Sequence, residues 1–469
     1  MTNGQVAVID IGKTNAKLVL VRLSDLSEIA IVTRPNTVLS SLPYPNFDVE
    51  GHWNFLLDGL SRFHAGHGIE AITVTTHGAA GALIAKDGSL AALILDYEHT
   101  GPDEYAADYD AIRPPFSETG SPRLPAGLNL GAQLHWQFET DQQLRDRVHH
   151  VVTYPQFWAY LLTGVFATDV TSLGCHTDLW NPFDGVFSSL PEALGIADKI
   201  ALPRKPGDVL GPILPEIAQR TGLPARIPVY CGIHDSNASL LSHLVAREPP
   251  FSVVSTGTWV IAMAVGGKPV ILDPALDTLV NVNAFGKDVP SARFMGGREH
   301  DIALGGTPPV YADSAHILDV LTQATMLLPA VVPETGPFAG AQACWHGVKP
   351  PLGSGQRCAA VAFYLALVTA RCLELVGHEG TVVIEGPFAR NQPYLWMLGV
   401  ASSSPVVAMD STTGTSQGAA LLVAAAGNYR TEKASCSERK RPVVPVPDEQ
   451  IRNLLTSYAR EWNTKVNAG

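Results

Sequence analysis

An apolar run, a glycine turn and a second apolar run occur twice in this chain, half a chain apart. The first copy is Val6-Ala7-Val8-Ile9-Asp10-Ile11, then Gly12-Lys13-Thr14-Asn15, then Lys17-Leu18-Val19-Leu20-Val21. The second is Phe251-Ser252-Val253-Val254, then Ser255-Thr256-Gly257-Thr258, then Trp259 to Met263. Aligning Gly12 with Gly257 gives an offset of 245 in a chain of 469 residues. Each copy reads as a β-hairpin with polar turn chemistry. Repetition at half the chain length points to two related halves, although apolar-Gly-apolar hairpins also arise independently. The chain is too long for one ordinary core. Arg247-Glu248-Pro249-Pro250 precedes the second hairpin, and two prolines cannot continue a helix. The domain boundary is placed there, giving residues 1–246 and 247–469.

Alternating strand and helix patterns fill both parts. Residues 71–76 read as a strand, 131–148 as a helix and 151–162 as largely helical. The second half carries a buried helix at 359–376, strands at 381–385 and 405–409, and an alanine-rich helix at 415–426. Two α/β halves follow. Prolines crowd 308–337, which reads as irregular surface loops. Arg439-Lys440-Arg441 reads as a solvated basic stretch before the last helix.

Composition narrows the function. Apolar residues are 46% and charged residues 16%, a balance that excludes disorder. Lys and Arg total 32 against 44 Asp and Glu, so no basic surplus exists to neutralise a nucleic-acid backbone. Six cysteines, at 175, 231, 344, 358, 372 and 436, form no CxxC pair and read as reduced thiols. No signal-peptide pattern opens the sequence, because Asp10 interrupts the first apolar run at once. No stretch of about 18 uncharged apolar residues marks a membrane span. A cytoplasmic location is expected.

Three segments carry chemistry. Backbone N–H groups in the two glycine turns can form anion-binding concavities, with glycine allowing positive φ and close approach to a phosphate. Thr14, Asn15, Thr256 and Thr258 add donors, and Lys13 and Lys17 add charge. Asp10 would repel a phosphate directly, and makes sense with Mg²⁺ between the two. Next, Gly232-Ile233-His234-Asp235 ends a strand and opens a helix. Asp235 is either an N-cap aspartate or a base that takes a proton from a hydroxyl. Third, Glu385-Gly386-Pro387 through Asn391 is a Gly-Pro turn after a strand, where a nucleobase can lie against backbone.

Together these segments resemble the FGGY family of carbohydrate kinases, within the actin-like ATPase superfamily, over nearly the whole chain and in the family's order. Asp10 to Asn15 looks like the first phosphate loop, roughly D-x-G-T-T/S. Thr75-Thr76-His77-Gly78 and Leu95-Asp96-Tyr97-Glu98 resemble its sugar-contacting segments. Ala159 to Gly164 is similar to its Y-L-x-x-x-L-T-G helix end, and Asp169 to Ser172 follows where T/E-D-x-S is usual. Gly232 to Asp235 looks like G-x-x-D with the catalytic base, Ser255 to Thr258 like the second phosphate loop, Glu385 to Asn391 like the adenosine segment, and Thr415 to Ala420 like the closing G-A-A helix.

The resemblance implies two actin-like (ribonuclease H-like) domains with a central cleft, and phosphoryl transfer from ATP to a sugar hydroxyl. His77, Gly78, Asp96, Glu98, Trp158, His234 and Asp235 are then expected on the sugar. Gly12, Lys13, Thr14, Asn15, Lys17, Thr256, Gly257, Thr258, Gly386, Asn391 and Gly418 are expected on ATP. Asp10, with Asp235, is expected at Mg²⁺, and Asp235 is the expected base.

The departures are specific. Lys13 replaces a Thr, adding charge on the phosphates or pointing outward. Glu385 replaces the first Gly of the adenosine segment. Glu98 stands where Asp is usual, and the following Arg is absent. The His-Asp pair at 234–235 is similar to the kinases of L-fuculose and L-rhamnulose, hinting at a ketose acceptor. Phe294 to His300 reads as a glycine turn with a surface ion pair or a loop near the cleft. Alternatives are a non-catalytic actin-like binder of sugar and nucleotide, and a polyol kinase of glycerol type. The expected partner is a small-molecule sugar, with neither nucleic acid nor membrane. A homodimer is the common assembly for such proteins, but the sequence marks no interface.

Overall fold

A computed structural model describes residues 4–409, 414–426, 443–445 and 449–468. Cys436 and the basic run at 439–441 lie outside the described residues. The described chain forms two compact units. Residues 4–246, 280–288 and 414–426 make up the first; 247–279, 289–409, 443–445 and 449–468 make up the second. The chain changes unit at 246/247, where the Pro-Pro pair lies, but it also returns twice to the first unit. A single cut at that point therefore misassigns two later segments, 280–288 and 414–426.

Both glycine turns close antiparallel hairpins. In the first unit Gln5–Ile11 pairs with Asn15–Arg22, with Ile11 opposite Ala16. Asn15–Arg22 pairs antiparallel with Glu28–Pro35, and Gln5–Ile11 pairs parallel with Ala71–Thr76, which pairs parallel with Pro228–Tyr230. In the second unit Phe251–Thr256 pairs antiparallel with Val260–Val265, which pairs antiparallel with Asp288–Phe294. Phe251–Thr256 pairs parallel with Thr381–Glu385, and that strand with Val406–Ala408. Order and sense match for these five strands of each sheet, so the repeated hairpin is the visible part of a duplicated topology, while the added strands Val209–Pro212 and Thr278–Val282 extend the two sheets at opposite ends.

The first sheet is apolar on both faces, because helices cover both. Ala7, Ile9, Ile11, Leu18 and Leu20 pack under the helices Val49–His67 and Tyr154–Thr163. Val6, Val8, Val19 and Val21 pack under Asp235–Ala246 and Thr415–Ala426. The last two helices touch at Gly418, where an added Cβ would run into the carbonyl of Ala238. In the second unit the core centres on the helix Gly355–Leu375. It is the one described helix long and apolar enough to cross a membrane, and its apolar length is mostly buried inside the unit.

Three sequence expectations need correction. The segment read as helix 131–148 forms Leu130–Thr140 and Leu144–Arg147, and Val148–Thr153 is a strand paired with Gly81–Ala85. Helix resumes at Tyr154, not Val151. The proline-rich 308–337 region contains the helix Ser314–Thr322, whose N-terminus is capped by Asp313 through the His316 N–H, and the strand Met326–Leu328. The five described cysteines form no disulfide.

Gly418→Val should overpack the seam between Thr415–Ala426 and Asp235–Ala246, costing about 2 kcal/mol. The expected fall in melting temperature is about 4–8 °C. An unchanged melting temperature would show that the two helices can separate without loss.

Candidate functional site

Asp10 ends a fully buried strand, and its carboxylate is 5% exposed. A charge so placed needs partners. Thr415 Oγ1 and Ser416 Oγ donate to Oδ2 at 2.7 and 3.0 Å. Its other oxygen, Oδ1, has no partner among the described residues. The adjoining turn is tied down by Asn36, whose Nδ2 donates to the Gly12 carbonyl at 2.8 Å and whose N–H donates to Thr14 O at 2.9 Å. His52 in turn meets Asn36 Oδ1 at 2.8 Å. Gly12 is not at positive φ, and a Cβ there would meet only Asn15 O, at 3.5 Å. Its role is open space rather than left-handed backbone, and the same holds for Gly257.

His77 continues the parallel strand Ala71–Thr76 and is 6% exposed. Its Nδ1 lies 2.7 Å from the Gly78 carbonyl. A carbonyl only accepts, so Nδ1 carries the proton and Nε2 keeps a lone pair, which has no partner among the described residues. Burial pulls the His77 pKa down to about 4, so the ring is neutral. Phe47, Tyr97 and Tyr154 surround it, with ring centroids 5.0, 5.3 and 5.0 Å away. Asp96 and Glu98 flank Tyr97, and both engage the ammonium of Lys13.

Asp235 opens the helix Asp235–Ala246, and its side chain is 27% exposed. Its carboxylate accepts from the adjacent Ser236 N–H at 2.6 Å. An N-cap would accept from amides two or three residues on, so the N-cap reading does not describe this carboxylate. His234 Nε2 lies 3.2 Å from Asp235 Oδ1, and Asn237 Nδ2 donates to His234 Nδ1 at 3.3 Å. With Nδ1 accepting, Nε2 carries the proton, and Cys175 Sγ lies 3.7 Å from it. His234 is neutral, its pKa lowered by burial to about 4. A buried chain supports it: His234 N–H donates to Thr171 Oγ1 at 3.0 Å, and Thr171 donates to Asp169 at 2.5 Å. Burial raises the Asp235 pKa to about 6, with His77 opposing and the Asp10 charge adding to the rise. Asp10, His77, His234 and Asp235 thus share one electrostatic site.

The second unit carries a separate cavity of about 840 Å³. Gly257 and Thr258 line one side, Pro387, Phe388, Arg390 and Asn391 another, and Gly297, Arg298 and His300 a third. Asn391 also caps the helix Gln392–Ala401 through the Tyr394 N–H. Gly386 has φ +82°, and a Cβ there would collide with Thr256 O. The buried Glu385 is not among the lining residues, so the departure at that position leaves the cavity clear.

Several expected residues face elsewhere. Thr256 is buried, donating to Glu385 O at 2.5 Å and accepting from Phe388 N–H at 3.1 Å; its hydroxyl stitches the turn together and is unavailable to a phosphate. Gly418 belongs to the first unit, packed against Ala238, and does not line the second unit's cavity. Trp158 is completely buried under the sheet and offers no surface to a sugar. Lys17 sits opposite Asp10 in the hairpin register, on the strand itself. Asn36, Tyr97 and Tyr154 were missed, because only tertiary register places them here.

The Gly296 segment is not a surface ion pair. It is the helix Gly296–Ala303, and Glu299 is 2% exposed. Glu299 accepts from Val332 N–H at 3.1 Å and from Tyr364 OH at 2.8 Å. The helix start is pressed onto the second glycine turn: Gly297 N–H donates to Thr258 O at 3.2 Å, and a Cβ on Gly297 would strike the Gly257 carbonyl. Burial raises the Glu299 pKa from 4.5 to about 7. Below pH 4.5 the acid is neutral whether the chain is folded or not. Between 4.5 and 7 only the unfolded chain ionises, so stability falls; above 7 the loss is complete. Glu299→Gln, which mimics the protonated acid, should gain on wild type by about 3 kcal/mol across that window. Parallel melting-temperature profiles from pH 4.5 to 8 would contradict a buried neutral acid.

Comparison with known proteins gives consistent results. Residues 5–242 match the model for the FGGY family of carbohydrate kinases, N-terminal domain, and residues 248–432 the carbohydrate kinase FGGY C-terminal domain. A solved carbohydrate kinase from Novosphingobium aromaticivorans is 36% identical, with TM-score 0.89 over 98% of this chain and 100% of that one. L-fuculokinase of Escherichia coli (strain K12) is 31% identical over 204 residues, 42% of this chain and 41% of that protein. Rhamnulokinase of Bacillus subtilis (strain 168) is 27% identical over 142 residues, 30% of this chain and 29% of that protein. The matched stretches thus span well under half the length of these curated relatives.

Proposed function

This chain belongs to the FGGY family of carbohydrate kinases, and on that premise we propose that it transfers the γ-phosphoryl group of ATP to a hydroxyl of a sugar, a ketose of the L-fuculose or L-rhamnulose type. The observation that carries the reading is the partly exposed Asp235 carboxylate, held by the Ser236 N–H, 3.2 Å from His234 Nε2, and grouped with a neutral His77 whose buried Nε2 has no partner among the described residues. The acceptor lies against His77, Asp96 and Glu98 in the first unit. ATP occupies the cavity of the second unit, with its phosphates at Gly257 and Thr258 and its base near Phe388 and Asn391. Partial identity to L-fuculokinase supports the ketose class.

Asp235 accepts the hydroxyl proton as the oxygen–phosphorus bond forms. Such transfer is mostly positioning and charge neutralisation, so a base need not be strong: the alcohol becomes acidic only as it attacks. The Ser236 N–H donates to Oδ1 and fixes the carboxylate's rotation. His77 Nε2 accepts from a substrate hydroxyl and so holds the sugar's orientation.

The donor set fits Mg²⁺. Asp10 keeps one oxygen free, and its charge raises the pKa of Asp235, a repulsion that a divalent cation would relieve. Asp10 would hold the ion through Oδ1, the oxygen without a partner among the described residues. When bound, the ion neutralises charge on the transferring phosphoryl group.

ADP release with Mg-ATP should depend on an added acceptor, tested across L-fuculose, L-rhamnulose, both ribuloses, both xyluloses and glycerol. Release stimulated by none of them, from protein that binds ATP, would remove the ketose-kinase reading. Asp235→Asn should keep the fold and ATP binding but lose about 10²- to 10⁴-fold in turnover, since an amide cannot take the proton. Turnover within a few-fold of wild type would sink the base assignment.

A further inference from the structure

We infer that Lys13 is an acceptor-binding residue, and that the acceptor is a neutral polyhydroxy compound and not a sugar acid; the inference rests on the kinase reading above. By position Lys13 belongs to the first phosphate turn, between Gly12 and Thr14. Its side chain goes elsewhere. The ammonium bonds Asp96 and lies 3.2 Å from Glu98 Oε2. It also stands 4.5 Å from the Tyr97 ring centroid and 5.5 Å from that of Phe47. The same two rings flank His77. The ammonium is therefore part of the wall around His77, while the backbone N–H of the same residue stays in the turn.

The chemistry of this wall suits a diol. An ammonium has three N–H donors, and two are directed at carboxylates, which leaves one for a substrate oxygen. Asp96, Glu98 and His77 Nε2 offer lone pairs. A sugar hydroxyl donates once and accepts from a neighbour, so adjacent hydroxyls can use both kinds of group. Charge narrows the class further. One cation against Asp96 and Glu98 leaves a net charge of −1 in the cluster. A carboxylate on the acceptor would be repelled at short range.

The experiment compares Lys13→Thr and Lys13→Arg with wild type. It uses the best acceptor of the panel and, separately, D-gluconate. Lys13→Thr should raise the acceptor KM at least tenfold, with ATP affinity, measured calorimetrically without acceptor, within twofold. Lys13→Arg should recover most of the loss. Wild type should use D-gluconate at least tenfold less efficiently than the best neutral acceptor. A tenfold loss of ATP affinity with acceptor KM unchanged, no change in either quantity, an equal loss in both, or efficient use of D-gluconate each overturns the inference while the kinase reading stands. Silence of wild type on every acceptor overturns both. Should Lys13→Thr not fold, Glu98→Gln, at a side chain 66% exposed, reads the same cluster and should raise acceptor KM alone.

Discussion

A carboxylate at the end of a buried strand is the constraint from which the first unit's site follows. Asp10 cannot be left without partners, and its hydroxyl donors come from Thr415 and Ser416, about four hundred positions later in the chain. Bringing that helix over the sheet covers the Val6, Val8, Val19 and Val21 face and seats Gly418 on Ala238. The contact fixes the helix that Asp235 opens. One polar requirement and one close approach of two helices thus hold both acidic groups of the site.

The two units use glycine turns in different company. The first turn is tethered by Asn36 and sends a lysine side chain away from itself; the second is backed by Thr256 on one side and Gly297 on the other. The shared topology supplies a hairpin and a parallel neighbour. What the turn then does depends on the residues packed behind it, and the duplicated halves have diverged there.

Local patterns carried much of the fold. Alternating and continuous apolar runs identified the hairpins, Ala71–Thr76, Thr381–Glu385 and Thr415–Ala426, because each is bounded by turn residues. The strand Val148–Thr153 was hidden by helical composition on both sides, and the helix Ser314–Thr322 by surrounding prolines. Of the expected sugar-side residues, His77 follows the strand Ala71–Thr76, His234 ends the strand Ile233–His234 and Asp235 opens a helix, whereas Asp96 and Glu98 lie in a loop against Lys13. The site was not legible at Trp158, Thr256 or Gly418, whose residue types fit a ligand contact but whose surfaces are consumed by packing. Lys13 could not be settled from sequence, since a flexible side chain beside a turn can reach either way.

The chain's repeated return to the first unit also limits how the protein can be divided. A fragment ending at Ala246 would hold the strands, His77 and Asp235, yet lack Thr415–Ala426. One face of its sheet would be open to water, and Asp10 would lose both hydroxyl donors. The N-terminal half of the sequence is therefore not a separable module: its last structural layer is supplied by residues beyond most of the second unit, so the first sheet is complete only after nearly all of the polypeptide has been made.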